Sequence, residues 1–119
     1  MSKKILIVDD SRLSRMISKQ FIKNFNADWS IEEAETGEDA IEKSQEYKAD
    51  FVLLDVNMPG MGGLAAAAIL KEKYPDLHIV MLTANVQNAV KSKAEELGLG
   101  FLSKPIKEDE IHAMLNGLE

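Results

Sequence analysis

The sequence predicts a doubly wound, three-layer α/β domain of five consecutive βα units, and two observations carry the prediction. Short unbroken apolar runs recur at Ile5-Leu6-Ile7-Val8, Phe51-Val52-Leu53-Leu54, Ile79-Val80-Met81-Leu82 and Phe101-Leu102. Strands without polar alternation are covered on both faces, as in a parallel sheet between two helix layers. Stretches with helical spacing separate these runs. Strict alternation with short connections, under the right-handed crossover rule, leads to the doubly wound arrangement.

Taken in order, the first strand covers residues 5–8. A helix over 12–25 follows, with Leu13, Met16, Ile17, Phe21 and Phe25 on one face, expected to pack on the sheet. Residues 29–34 alternate and carry charge, so they read as an edge strand. Helical segments over 38–48, 63–74 and 86–97 come next, separated by the strands at 51–54 and 79–82. Ala65 to Ala68 give the third helix high propensity and room for close packing. The last strand leads into a helix over 108–118 bearing Ile111, Met114, Leu115 and Leu118. Residues 1–119 are expected to form a single domain, with no effector domain attached.

Composition removes several classes of function. There is no cysteine, which excludes disulfide scaffolds, thiol catalysis and thiolate metal sites. No apolar run approaches the roughly 18 residues of a membrane span, and no signal peptide is visible, so a cytoplasmic location is expected. The formal net charge of −6 argues against nucleic-acid binding through the overall field. The charge is uneven: residues 28–55 hold ten acidic and two basic side chains, whereas residues 1–27 hold six basic and two acidic ones.

In open parallel sheets, ligands bind beyond the carboxyl ends of the strands. The first strand ends at Asp9-Asp10, the third at Asp55, the fourth at Thr83, and the fifth runs into Lys104. Each residue alone has an ordinary reading as a helix cap or solvated loop residue. Together they place three carboxylates in one crevice. Two unit charges about 4 Å apart repel by roughly 4 kcal/mol at an effective dielectric near 20, so the cluster calls for a cation or for raised pKa values. All-oxygen ligands favour Mg²⁺ or Mn²⁺, with waters and a phosphate oxygen completing the shell. Lys104 offers a compact cation and Thr83 a hydroxyl donor to a phosphoryl group, while the small Ala84 leaves Asp55 open to approach. Asp55 as a nucleophile would form an acyl phosphate that water later cleaves.

Asp9-Asp10, Asp55-Val56-Asn57-Met58-Pro59-Gly60, Gly63, Thr83-Ala84 and Lys104-Pro105 resemble the signature of a response-regulator receiver domain of two-component signalling, in order and over essentially the whole chain. The resemblance implies a flavodoxin-like sheet of order 2-1-3-4-5. It implies that Asp55 is the phosphoacceptor, that Asp10, Asp55 and the Asn57 backbone carbonyl hold the metal directly, and that Asp9 acts through a water. Lys104 would pair with the carboxylate and then with the phosphoryl group, and the Lys104–Pro105 bond would be cis. Thr83 and Phe101 would form the switch. Phe101 also reads as an ordinary core aromatic, and the two readings are compatible. Gly62 stands where aspartate is frequent and would serve as a helix N-cap. Asn57 and Asn85 occupy positions that tune acyl-phosphate lifetime in similar proteins, and Met58 and Met61 read as gap-fillers.

The resemblance also implies partners. Arg12, Arg15, Lys19 and Lys23 form a basic stripe on the first helix where a histidine kinase or histidine phosphotransfer domain would dock. The segment 86–117 would be the output face, contacting another protein such as a flagellar motor switch or a phosphatase. The expected protein is a monomeric, chemotaxis-type phosphoacceptor that catalyses only its own phosphotransfer and slow autodephosphorylation. A phosphorelay shuttle is the alternative. A Mg²⁺-dependent phosphohydrolase of the haloacid dehalogenase kind fits less well, because it wants Asp-x-Asp after the first strand. A flavin binder would need a phosphate cradle where Asp9-Asp10 stand.

Overall fold

A computed structural model describes residues 3–58, 60–84 and 88–117, the side chains of 88–90 excepted. It contains β1 (Lys4–Val8), α1 (Arg12–Phe25), β2 (Ser30–Ala34), α2 (Gly37–Ser44), β3 (Phe51–Asp55), α3 (Gly62–Lys73), β4 (His78–Thr83), α4 (Asn88–Glu96), β5 (Gly100–Ser103) and α5 (Glu108–Asn116). The sheet order is β2-β1-β3-β4-β5, every pair parallel. This is the flavodoxin-like topology the sequence led us to expect.

The unbroken apolar strands have the explanation anticipated for them. Ile5, Ile7, Leu53, Val80 and Leu82 pack with Ile22, Trp29, Ile111 and Leu115 on the side covered by α1 and α5. Leu6, Val8, Val52, Leu54 and Met81 point the other way, onto Ala40, Ala66, Ala67, Leu70 and Ala94 of α2, α3 and α4. Two helix layers thus bury both faces, at about 2 kcal/mol for each large aliphatic side chain removed from water.

Helix α1 departs from expectation. Its buried residues are Arg15, Ser18 and Ile22, whereas Leu13, Met16 and Ile17 are 67%, 57% and 40% exposed. The N-terminal half of the expected core face therefore points to solvent. Tertiary partners decide the rotation: Ile22, Phe21 and Phe25 join the cluster around Trp29, and Arg15 finds acceptors beneath the helix. The same rotation seats α1 against α5, where His112 Nε2 lies 2.8 Å from the Phe21 carbonyl oxygen and Asn24 donates to Glu108 at 2.7 Å.

Local chemistry accounts for the helix starts. Ser11 Oγ accepts from the Ser14 N–H at 3.2 Å to open α1, and Thr36 Oγ1 accepts from the Asp39 N–H at 3.0 Å to open α2. Helix α2 stops at Ser44 rather than 48, and Tyr47 turns aside to bond Ser30 Oγ at 2.7 Å. Gly62 is the first residue of α3, not its cap; that place falls to Met61, and Gly62 itself has a φ of +80°. The start of the fourth helix at 86, Asn85 and Leu118 fall outside the described residues.

Candidate functional site

The carboxyl ends of β1 and β3 lie side by side, with Val8 in register with Leu54, so Asp9, Asp10 and Asp55 emerge together. One carboxylate oxygen from each lies within 4.8 Å of the others. Asp9 and Asp55 are each only 2% exposed, while Asp10 opens to solvent. Lys104, at the end of β5, reaches across with Nζ 3.0 Å from Asp55 Oδ2 and 3.4 Å from Asp9 Oδ2. One ammonium thus bridges two carboxylates, with a third, Asp10, beside them.

Backbone contacts fix the two buried acids. Asp9 Oδ1 accepts from the Ser11 N–H at 2.9 Å, and Asp55 Oδ1 accepts from the Asn57 N–H at 3.2 Å. The Val56 N–H donates to the Leu82 carbonyl at 2.8 Å, extending β3 one residue past Asp55, and the Lys104 N–H donates to the Thr83 carbonyl at 2.7 Å. The Lys104–Pro105 bond is cis, as expected. Gly63 sits so close to the end of β3 that a Cβ built on it would lie 1.9 Å from the Asp55 carbonyl oxygen. Only glycine lets α3 start against the strand that delivers Asp55.

The charges are correspondingly perturbed. Burial, reinforced by repulsion from Asp55, raises the Asp9 carboxyl above its ordinary 3.8, against the lowering effects of the Ser11 N–H and Lys104. Burial works to lower the Lys104 pKa, but its hydrogen bond to Asp55 and the charges of Asp9 and Asp55 outweigh that and leave it raised. Three converging oxygen ligands with too little positive charge, one of them facing solvent, suit a hard divalent cation. Asp9, Asp10 and Asp55 are the residues that would hold it.

Of the remaining expected residues, Thr83 is buried at the end of β4, beside β5, and Phe101 is half-buried on the α4 side of the sheet. Arg12 and Lys19 are exposed on α1. Arg15 does not belong to an exposed docking stripe: its side chain is 9% exposed, with Nε 3.0 Å from Glu33 Oε1 and Nη1 2.7 Å from the Asp9 carbonyl oxygen. Lys23 also turns inward, onto the Trp29 carbonyl at 2.5 Å. Sequence spacing groups the four basic residues, but only the acceptors at the ends of β1 and β2 separate buried Arg15 from exposed Arg12 and Lys19.

This constellation at the carboxyl end of a 2-1-3-4-5 sheet defines a receiver-type site. The chain belongs to the response regulator receiver domain family, whose sequence pattern matches residues 5–116. It is similar to the chemotaxis protein CheY of Listeria monocytogenes, 36% identical over 109 residues that make up 91% of each chain. It is also similar to the response regulator UvrY of Escherichia coli K12, 33% identical over 108 residues, 90% of this chain and 50% of UvrY. The chain therefore spans about half the length of UvrY and about nine-tenths of that CheY. Among solved structures, the chemotaxis protein CheY4 of Vibrio cholerae superposes with a TM-score of 0.89 at 28% identity, covering 100% of both chains. Receiver domains partner histidine kinases. Among the described residues, no helix is long and apolar enough to cross a membrane.

Proposed function

We propose that this chain is a phosphoacceptor regulator in which Asp55 takes a phosphoryl group from a phosphohistidine of a histidine kinase or phosphotransfer domain. The observation that carries the reading is Lys104 Nζ, held between Asp55 and Asp9 at 3.0 and 3.4 Å in a crevice opened to solvent by Asp10. A carboxylate oxygen of Asp55 bonds to phosphorus as the phosphorus–nitrogen bond breaks, and the departing imidazole takes its proton from solvent. Asp9, Asp10, Asp55 and the Asn57 backbone carbonyl would hold a divalent cation, Mg²⁺ or Mn²⁺, which when bound would supply positive charge to the transferring group. Lys104 neutralises a further phosphoryl oxygen from a position it already holds. Thr83 donates its hydroxyl to the phosphorylated aspartate, and Phe101 fills the space this vacates, altering the α4-β5-α5 face.

The kinase side docks on α1 beside the crevice, through exposed Leu13, Met16 and Ile17 flanked by Arg12 and Lys19. On the output side, the CheY relatives, matched over nearly their whole length, support a chemotaxis-type partner such as a motor switch protein or phosphatase. A cytoplasmic, monomeric receiver completes the reading.

Incubation with Mg²⁺ and a small acyl-phosphate donor, followed by intact mass measurement, tests the chemistry. A single phosphoryl adduct on the wild type and none on Asp55→Asn is expected. No adduct on the wild type, or multiple turnover of a phosphate ester, overturns it.

A further inference from the structure

Among the described residues, Arg15 is the one strongly buried cation that the proposed chemistry leaves unused, and its contacts converge on the backbone that carries the acid pair. Its Nη1 donates to the Asp9 carbonyl oxygen at 2.7 Å, its Nε to Glu33 Oε1 at 3.0 Å, and its Nη2 lies 3.6 Å from Glu35 Oε1. The Asp9 N–H in turn donates to the Ala34 carbonyl at 3.1 Å. Asp9 is thus clamped on both sides of its Cα, by β2 through its N–H and by α1 through its carbonyl. That carbonyl belongs to the peptide plane joining Asp9 to Asp10, so holding it fixes the axis from which the Asp10 side chain projects.

Asp10 needs such control. Among the described residues no hydrogen bond or ion pair engages its carboxylate, which is exposed. Its aim toward Asp9 and Asp55 rests on the backbone. A charged donor to a buried carbonyl is a strong, directional contact, and groups that orient metal ligands from behind commonly set affinity. We infer that Arg15 is a positioning residue for the divalent cation site: by holding the Asp9 carbonyl it orients Asp10 toward the metal. The inference rests on the proposed metal site and assigns it a residue outside the ligand set.

Electrostatics makes the test sharp. A double variant that loses one cation and one anion leaves the net charge near the site unchanged, so weakened binding points to lost orientation rather than to charge. Mn²⁺ binding is measured directly from the free-ion electron paramagnetic resonance signal, with unfolding in EDTA measured in parallel. The double variant Arg15→Met/Glu33→Gln removes the carbonyl contact together with the carboxylate it would otherwise strand. Glu33→Gln alone leaves that contact in place. The expected result is affinity about tenfold weaker in the double variant and within about twofold of wild type in Glu33→Gln. Unchanged affinity in the double variant overturns the inference, as does an equal loss in Glu33→Gln, which would make the ion pair the cause. No Mn²⁺ binding by the wild type overturns the metal site itself, and the inference with it. Should circular dichroism show the double variant unfolded, Arg15→Gln is measured against the same criteria.

Discussion

The two ends of the sheet differ in how their charged groups are answered. At the amino ends of the strands lies a half-open cavity of about 460 Å³ lined by residues including Lys3, Tyr47, Asp50, Tyr74, Asp76 and His78. Its polar groups are already answered. Asp50 Oδ2 accepts from the Lys4 N–H at 2.9 Å, the Lys4 ammonium sits 5.7 Å from the Tyr47 ring centre, and the charged side chains of both signs reach water. At the carboxyl ends two carboxylates are almost wholly buried and share one ammonium. Unbalanced buried charge is costly to keep, and a fold that keeps it marks the end where a cation or phosphoryl group belongs. The cavity at the amino ends carries no such imbalance.

The sharpest way to break this contrast is to disturb the carboxyl end without touching a charge. In Gly63→Ala the new Cβ would meet the Asp55 carbonyl oxygen at 1.9 Å, so α3 or the end of β3 must move. A stability loss of about 3 kcal/mol is expected in urea unfolding, together with loss of the phosphoryl adduct. A variant that is stable and phosphorylated normally would show that the packing of α3 does not place Asp55.

Next in size is Lys104→Met, which leaves Asp9 and Asp55 without their shared partner. Because part of the lysine is in contact with water, the loss is set at roughly 2 kcal/mol rather than the larger figure for fully buried pairs. The raised Lys104 pKa gives the sign. Its contribution is fully present below the ordinary lysine value of 10.5 and fades only as pH rises through the higher folded value. The difference between wild type and variant should therefore persist through neutral pH.

Asp9→Asn is expected to act in the opposite direction. Since the folded pKa of Asp9 lies above its ordinary 3.8, the group's stabilising contribution is complete below 3.8 and is lost as pH rises through the folded value. At neutral pH in EDTA the asparagine variant should be the more stable, and its advantage should shrink as pH falls toward 3.8. Saturating Mg²⁺ should reverse the order, because the Asp9 charge then has a partner. Urea unfolding at two pH values, with and without metal, checks all three signs.

How far the sequence was legible follows the same division. The strand ends were readable because a short apolar run stopping at a polar or charged residue states both the strand and where it terminates. Asp9, Asp10, Asp55, Thr83 and Lys104 therefore came out at one edge. Helix α1 was misread because its sequence offers two faces with apolar residues. What turns Leu13, Met16 and Ile17 outward is the set of acceptors that Asp9, Glu33 and Glu35 bring together from β1 and from the end of β2. No spacing within residues 12–25 contains that information, and so Arg15 was grouped with the exposed basic residues. The one-residue displacement of the α3 cap, from Gly62 to Met61, has a similar source: Gly62 adopts a positive φ as the chain enters α3, on a path that depends on Gly63 meeting β3.

The smallest predicted effect tests the quiet end of the sheet. The Tyr74 hydroxyl donates to the Ser44 carbonyl at 3.4 Å, a long and partly solvated bond beside the amino-end cavity. Tyr74→Phe removes it while keeping the ring that packs against the α2-α3-α4 cluster. A loss of about 0.5 kcal/mol is expected, with Mg²⁺ affinity and the rate of acyl-phosphate labelling unchanged. The measurement matters because the two ends are joined by the same buried strands: Phe51 to Asp55 runs from one to the other without an exposed residue. If filling or loosening the amino end altered labelling at Asp55, the strands would be transmitting strain along their length, and the cavity would belong to the switch. Unchanged labelling, with the small stability loss, would leave it as a by-product of how loops close the sheet, with charge imbalance remaining the feature that separates one end from the other.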